Sequence, residues 1–308
     1  MQPQVKDLHI DAALSNVSVM YKNADLMGEK IFPVITVQKD TDTYFIYGKQ
    51  NLRLYNDLRA PGTIGERFEW TVATSTSYAL VEHSLYDQLI DEVRDNADDP
   101  IRYDSDSVEM VTEALLLRIE ADVATFANSG SYYAATNSST PTTGWDVSTS
   151  DPIGDVDSAK DAVRQLIFRK PNTMVVSEAV HKVLRTHPKL LDLFKYTAGG
   201  TVTVDQIKSA LEIKNYIVYG AGKISSAEGQ TTETIAQLWG KNVAILYVAE
   251  NPGLKQLSFA YVFRKKGYRL VERWREDKLR SDFVRVSDKY QIYSVAPTAG
   301  YLLQGVIA

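Results

Sequence analysis

The chain has 308 residues, 44% of them hydrophobic, with 34 basic and 39 acidic side chains and a formal net charge of −5. That length and apolar content suffice for a large core in one or two domains, and the acidic balance speaks against a general nucleic-acid binder. Cysteine is absent, which excludes disulfide staples and thiol chemistry; no apolar run is long enough to cross a bilayer, and the first residues lack a secretory signal's basic-then-apolar order.

Residues 10–20 carry the pattern of a short helix, and Pro33 ends any helix ahead of residues 34–37, a β-branched run that predicts a strand. Residues 41–47 (TDTYFIY) predict another. From Gly48 to Glu69 the pattern becomes charged and aperiodic, with Pro61-Gly62 and Gly65 inside it. Strand signals on both sides, at 44–47 and 70–79, make this a long excursion or an extended hairpin. Loops beyond about 12–15 residues are uncommon inside compact domains and are usually functional or partner-bound. This one needs a partner. Residues 71–82 are strand-like, and 84–96 (SLYDQLIDEVRDN) predict a short helix leading into a longer one.

The longer helix, residues 104–128, is the strongest signal in the chain. Val108, Val111, Leu115, Ile119, Val123 and Phe126 step by three or four residues and lay one stripe along it. Leu116, Leu117, Ala121 and Ala124 widen the stripe, while Glu109, Glu113, Arg118, Glu120 and Asp122 are assigned to the remaining surface. Asp106 and Glu109 have capping-box spacing, and Asn128-Ser129-Gly130 ends the helix. At about 1.5 Å per residue it runs roughly 35 Å.

Residues 129–156 are rich in Ser, Thr, Gly and Asn, with Trp145 as an anchor and Asp151-Pro152 as a turn, which places a domain boundary there. Residues 155–168 form a second amphipathic helix with Val156, Ala159, Val163, Leu166 and Ile167 on one face. A buried strand follows at 173–176, then a helix capped by Ser177 that stops before Pro188, and one more turn at 190–194. Residues 198–200 open a loop, 204–211 form a helix, and 215–219 and 244–248 form strands; the alternation is α/β in character. Three strands close the chain, at 257–263, 268–274 and 283–295, with Gly267 supplying a positive φ to the first turn between them.

Charge is unevenly placed. From Asp87 to Glu109 nine acidic residues face two basic ones, a local net of −7; from Lys255 to Lys289 eleven basic face five acidic, a local net of +6. Chemistry, by contrast, finds no foothold. His9, His83, His181 and His187 have no metal-ligand spacing, and the pairs Asp98-Asp99 and Glu276-Asp277 sit on solvated loops. Gly220-Ala-Gly-Lys223 fails as a phosphate loop because Ile224 stands where Ser or Thr must hold magnesium. No G-x-S-x-G elbow is present. The sequence nominates no catalytic, cofactor-binding or metal residue and no enzyme.

The order just described carries a resemblance. Asp11-Ala-Ala-Leu14, Val17-Ser18, Tyr21-Lys22-Asn23 and Ile31-Phe32-Pro33-Val34 are similar to the amino-terminal arm of one capsid subfamily. Lys170-Pro-Asn-Thr-Met-Val-Val176, Val183-Leu184, His187-Pro188 and Phe194-Lys-Tyr196 are its most characteristic segment. Trp239-Gly-Lys241, residues 243–248, Pro252, Ser258-Phe-Ala-Tyr261 and Ala299-Gly-Tyr301 complete a match from about residue 10 onward. Taken in order, these resemble the HK97-fold major capsid proteins of tailed bacteriophages.

The resemblance implies an α+β, HK97-like capsid fold: an N-arm (1–30), P-domain strands (31–47), an extended E-loop hairpin (48–70) and a P domain with the long spine helix (71–150). An α/β A domain (151–252), further P-domain strands (253–292) and a C-terminal strand returning to the A domain (293–308) follow. It implies self-assembly as hexamers and pentamers into an icosahedral virion shell, built in the bacterial host cytoplasm around packaged double-stranded DNA. That DNA is held without sequence-specific contact; scaffolding, portal and decoration proteins are further partners, and no membrane or cofactor is involved. The intersubunit contact is assigned to Leu52, Arg53, Tyr55, Arg59, Arg67 and Phe68 of the excursion, which also offers Leu54 and Leu58. Arg273, Arg275, Lys278 and Arg280 are expected to meet carboxylates of an adjacent subunit. Two departures limit the carry-over. The Lys–Asn cross-link of some members needs an Asn shortly after a Phe-Val pair, and here Arg285 and Val286 follow Phe283-Val284. The chain also starts at the arm, which implies that scaffolding is a separate protein or absent. An encapsulin-type nanocompartment shell and a soluble hydrolase are the alternative readings.

Overall fold

Two five-stranded sheets share one long helix wedged against both. The computed structural model describes residues 26–47, 53–54, 57–67, 72–96, 103–195, 201–227, 229, 234–253 and 256–308. In chain order the elements are α1 (Gly28–Ile31), β1 (Val34–Val37), β2 (Thr41–Tyr47), β3 (Val72–Ala79), β4 (Val81–Ile90), α2 (Asp91–Asp95), α3 (Tyr103–Asn128), β5 (Ser138–Ser139) and α4 (Pro152–Ile167). They continue with β6 (Thr173–Ser177), α5 (Glu178–Thr186), α6 (Pro188–Leu193), α7 (Val204–Ala210), β7 (Asn215–Tyr219), β8 (Gly222–Ile224), β9 (Ile235–Gln237) and β10 (Val243–Leu246). The last four are β11 (Ala260–Lys265), β12 (Leu270–Glu276), β13 (Ser281–Ser294) and β14 (Gly300–Leu303).

The first sheet is organised around β13. One edge of that strand pairs with β4 over ten residues, from Ser281↔Ile90 to Tyr290↔Val81. Its other edge takes β12 and then β11, both antiparallel to it, and β1 lies parallel outside β11. Because β11 and β12 run in the same direction, the turn at Gly267 (φ +69°) does not reverse the chain as the sequence suggests. It is a jog in one long edge. Lys266 donates to the Val37 carbonyl there (2.9 Å), and Arg269 holds Asp288 (3.1 Å), so the jog is stapled on both sides.

The helix expected at 84–96 is largely strand. Leu85, Leu89 and Val93 recur every four residues and imitate a helical stripe, but ten cross-strand pairs to β13 outweigh that local signal. Only α2 remains helical. The long helix α3 forms as its periodicity predicts, but begins at Tyr103, so Asp106 lies within its first turn and is no cap. Val108, Leu115, Leu89, Val271, Val284 and Val286 form one cluster between α3 and the first sheet. Further along, Ile119, Val123 and Phe126 join Phe32, Phe259 and Ile292, and the same cluster reaches Ala244, Leu246 and Leu302 of the second sheet. Each fully buried large apolar side chain of this kind contributes about 1.5–3 kcal/mol.

Glu120 is not on the surface. It is buried, its Oε1 accepts the Gly28 amide at 2.6 Å, and its Oε2 accepts the Tyr219 hydroxyl. Burial and the neighbouring carboxylate both push the Tyr219 hydroxyl upward from its ordinary value, so it stays a donor. Gly28 suits that spot, since a Cβ there would lie 2.9 Å from Glu120 Oε1 and the carboxylate would have to shift. One carboxylate thus ties α1, α3 and β7 together.

The second sheet runs β5-β14-β10-β6-β7. Strands β6 and β7 are parallel, joined over α5, α6 and α7, whereas β10 is antiparallel to both β6 and β14. Asp151 caps α4 through the Gly154 amide, Ser177 caps α5, and Thr203 with Gln206 forms a capping box on α7. Trp145 is fully buried with its Nε1 on Asp155 (2.9 Å), packed among Val156, Met174, Val180 and Leu184. The β8–β9 hairpin and β5 have no counterpart in the sequence reading. The helix expected at 10–20 and the loop at 198–200 lie outside the described residues.

Candidate assembly surface

The β2–β3 pair forms a two-stranded ribbon of its own, from Thr41↔Ala79 to Tyr47↔Val72, with an irregularity between Ile46 and Tyr47. Residues 48–71 connect its strands. Within that connection Ala60-Pro61-Gly62-Thr63 makes a tight turn, with the Thr63 amide on the Ala60 carbonyl at 3.1 Å and Gly62 at φ +84°. Proline fixing one central φ and glycine taking the positive one are what a type II turn demands. Around the turn, large apolar side chains are exposed: Leu54 fully, Leu58 by 87% and Ile64 by 98%. Arg53, Arg59 and Arg67 are exposed among them. Leu52, Tyr55 and Phe68 lie outside the described residues.

The two oppositely charged stretches meet inside the chain. At the end of the first sheet Asp282, buried on β13, accepts Arg273 (2.7 Å) and Arg94 (2.8 Å). Arg275 bridges Asp91 (2.7 Å), Asp277 (3.1 Å) and Asp282 (3.4 Å), and Asp104 lies 3.7 Å from Arg273. Burial works to raise the Asp282 carboxyl, but hydrogen bonds from Arg273, Arg94 and Arg275 and the charge of Arg273 outweigh it and bring the group down to about 2. Arg273 and Arg275 therefore already hold carboxylates of their own chain. Lys278 and Arg280 are different: both are exposed on the β12–β13 connection, beside exposed Leu279, and neither pairs with a described acidic residue.

The three described histidines sit in structural roles, and His9 lies outside the described residues. His181 Nδ1 lies 3.0 Å from the Tyr216 hydroxyl and His187 Nε2 lies 3.0 Å from Ser150 Oγ; burial lowers both imidazoles. His83 stacks on Tyr290 at 4.4 Å. Among the described residues no group of three or more His, Cys, Asp or Glu is placed to hold a metal, and no helix is long and apolar enough to cross a membrane. The concentrated chemistry of this surface is apolar side chains and guanidinium groups in water.

Two sheets bridged by a long helix, with a separate ribbon carrying exposed apolar residues, define the HK97-type fold of phage capsid proteins. The mature capsid of bacteriophage PhiM1 shows the same fold, at a TM-score of 0.56 and 10% identity over 98% of this chain and 91% of that one. A phage-related protein from Bordetella bronchiseptica RB50 is nearer, with a TM-score of 0.78 and 28% identity over 97% and 98% of the two chains. Residues 129–261 match the family described as phage major capsid protein E. The major capsid protein of Burkholderia phage BcepMu is 32% identical over 96% of each chain. The chain belongs to the phage major capsid proteins.

Proposed function

We propose that this capsid protein assembles with copies of itself as hexamers and pentamers into an icosahedral shell enclosing packaged double-stranded DNA. The observation that carries the reading is the excursion: Leu54, Leu58 and Ile64 stand highly exposed. Ordering some twenty residues costs on the order of 20–40 kcal/mol of backbone entropy, so only an extensive contact between subunits offsets it. In this reading residues 1–30 are the N-arm, 48–70 the E-loop lying across a neighbour, and 151–252 the A domain. Residues 31–47, 71–150 and 253–292 make up the P domain, and 293–308 return to the A domain, consistent with β14 pairing in the second sheet. Leu52, Tyr55, Phe68, Arg53, Arg59 and Arg67 contribute the E-loop side of the contact. Lys278 and Arg280 reach acidic groups of an adjacent subunit, while Arg273 and Arg275 support that edge through their own carboxylates. Scaffolding, portal and decoration proteins are the further partners, and the virion head, assembled in the bacterial host cytoplasm, is the location.

The test replaces residues 50–65 by a tight Asn-Gly turn in the full-length chain. The expected result is a folded subunit with nearly unchanged circular dichroism and no particles in negative stain. Normal particles from the shortened chain sink the E-loop assignment. The nucleic acid content of wild-type particles separates a genome-holding head from a compartment that encloses an enzyme.

A further inference from the structure

We propose that Asp40 is a positioning residue that sets the angle at which the β2–β3 ribbon leaves the first sheet. The ribbon stands on two feet. Residues 38–40 lead to it from β1, and Leu80 leads from it into β4, two strands on opposite sides of the β11–β13 pair. Asp40 closes the gap over that pair: Oδ1 lies 2.7 Å from Lys265 Nζ on β11, and Oδ2 lies 2.9 Å from Lys289 Nζ on β13. Both ammonium groups rest over the Tyr268 ring, at 5.4 and 5.3 Å, and the Tyr268 hydroxyl donates to Glu82 on β4 at 2.7 Å. The Asp40 carbonyl accepts the Leu80 amide (2.9 Å), so the same residue joins both feet.

The other contacts at this base are of a different kind. Tyr78 and Tyr44 pack on Phe263, with ring centroids 5.1 and 5.6 Å away. Such packing holds the ribbon down but has little directionality. Tyr293 holds Ala79 through both its amide (2.9 Å) and carbonyl (3.0 Å), which fixes one point and leaves rotation about it. A charge-assisted hydrogen bond from Lys289 and an ion pair with Lys265, on two strands, supply the direction that remains. Consistent with this, Lys265 and then Lys289 hold the Asp40 carboxyl below its ordinary range. The remaining charged groups nearby are Glu82 and the Lys39–Asp42 pair (3.1 Å), which belongs to the ribbon itself.

The consequence for particle geometry rests on the shell reading; the clamp does not. Because the chain has no cysteine, Ser77→Cys on the ribbon and Glu92→Cys on α2 give two unique spin-label sites in the unassembled full-length protein. The wild-type background is expected to give one narrow distance distribution. Asp40→Asn, nearly the same shape without the charge, is expected to widen it about two-fold, as a freed hinge does. Asp40→Glu, which keeps a carboxylate for both lysines, is expected to recover most of the narrow peak. Lys265→Met with Lys289→Met attacks the clamp from the other side and decides the matter if Asp40→Asn does not fold. An unchanged distribution in whichever of these variants folds overturns the proposal. Asp40→Asn particles are expected to vary in diameter, whereas failure of the shell reading itself appears separately, as normal particles from the chain shortened at 50–65.

Discussion

The long helix and the excursion both carry apolar side chains, yet the protein treats them in opposite ways. On α3, Val108, Leu115, Ile119 and Val123 are buried against two sheets of the same chain. On the excursion, Leu54, Leu58 and Ile64 are left in water. The difference lies in what the surroundings supply. The helix has a ten-residue strand pair and a second sheet to close over it; the excursion departs from a two-stranded ribbon, which offers no such cover. Apolar residues in the first region specify the subunit, and in the shell proposed above those in the second are left for a neighbouring copy.

That contrast can be broken most forcefully on the helix. Leu115→Ala is expected to destabilise the subunit by about 2–5 kcal/mol in a urea titration, through lost burial and the cavity left behind. A loss below roughly half a kcal/mol would place the stripe on the surface. Next, Glu120→Ala leaves the Gly28 amide without its partner and deprives the Tyr219 hydroxyl of a carboxylate, with an expected cost of about 1–3 kcal/mol. Glu120→Gln, which keeps an acceptor oxygen, is expected to cost less than the alanine variant.

A pH series sharpens the comparison at the charged edge. The Asp282 carboxyl is held at about 2 against an ordinary value of 3.8. Its contribution is therefore fully present above the ordinary value and is lost as pH falls toward 2. Asp282→Asn is expected to lower stability by about 1–2 kcal/mol at neutral pH, less where exposed Arg275 is screened by salt, with the gap to wild type closing in acid. A gap that stays constant between neutral pH and pH about 3 contradicts the pairing, since such linkage must follow the titration. The smallest effect on stability is expected on the excursion. Leu54→Ser, Leu58→Ser and Ile64→Ser together are expected to shift the subunit's unfolding by less than about half a kcal/mol, yet to abolish particles in negative stain.

The same contrast explains what was legible in the sequence. The helix announces itself because its core lies on one face at 3.6-residue spacing, and β6 to β7 follows the alternation of strand and helix. Features set by distant partners are not visible in this way. Leu85, Leu89 and Val93 read as one helix until β13, some two hundred residues later, claims Leu85 and Leu89 as strand and leaves only Val93 in the short α2. Glu120 looks like surface because only Gly28 and Tyr219 reveal its burial. On the assembly surface the excursion's limits and its Pro61-Gly62 turn were readable, since proline and glycine act locally. Ile64, a lone apolar residue in a polar run, gives no periodic signal. Asp40 gave no signal at all, its partners being Lys265 and Lys289, the latter 249 residues away. The two charge blocks were visible, but not that Arg273 and Arg275 would spend their charge at home.

One feature of the topology bears on when the subunit becomes competent. The strands at the heart of both sheets come after their partners: β13 joins β4, β12 and β11, and β14 enters between β5 and β10. Synthesis proceeds from the amino end, so β1, β4 and β11 leave the ribosome before the strand that unites them. The ribbon and its excursion likewise emerge early, but β1 and β4, on which they stand, are not joined through β11 and β13 until about residue 294 has appeared. The second sheet waits longer still, to residue 303. A nascent chain therefore cannot close either sheet while it is still being made at its middle.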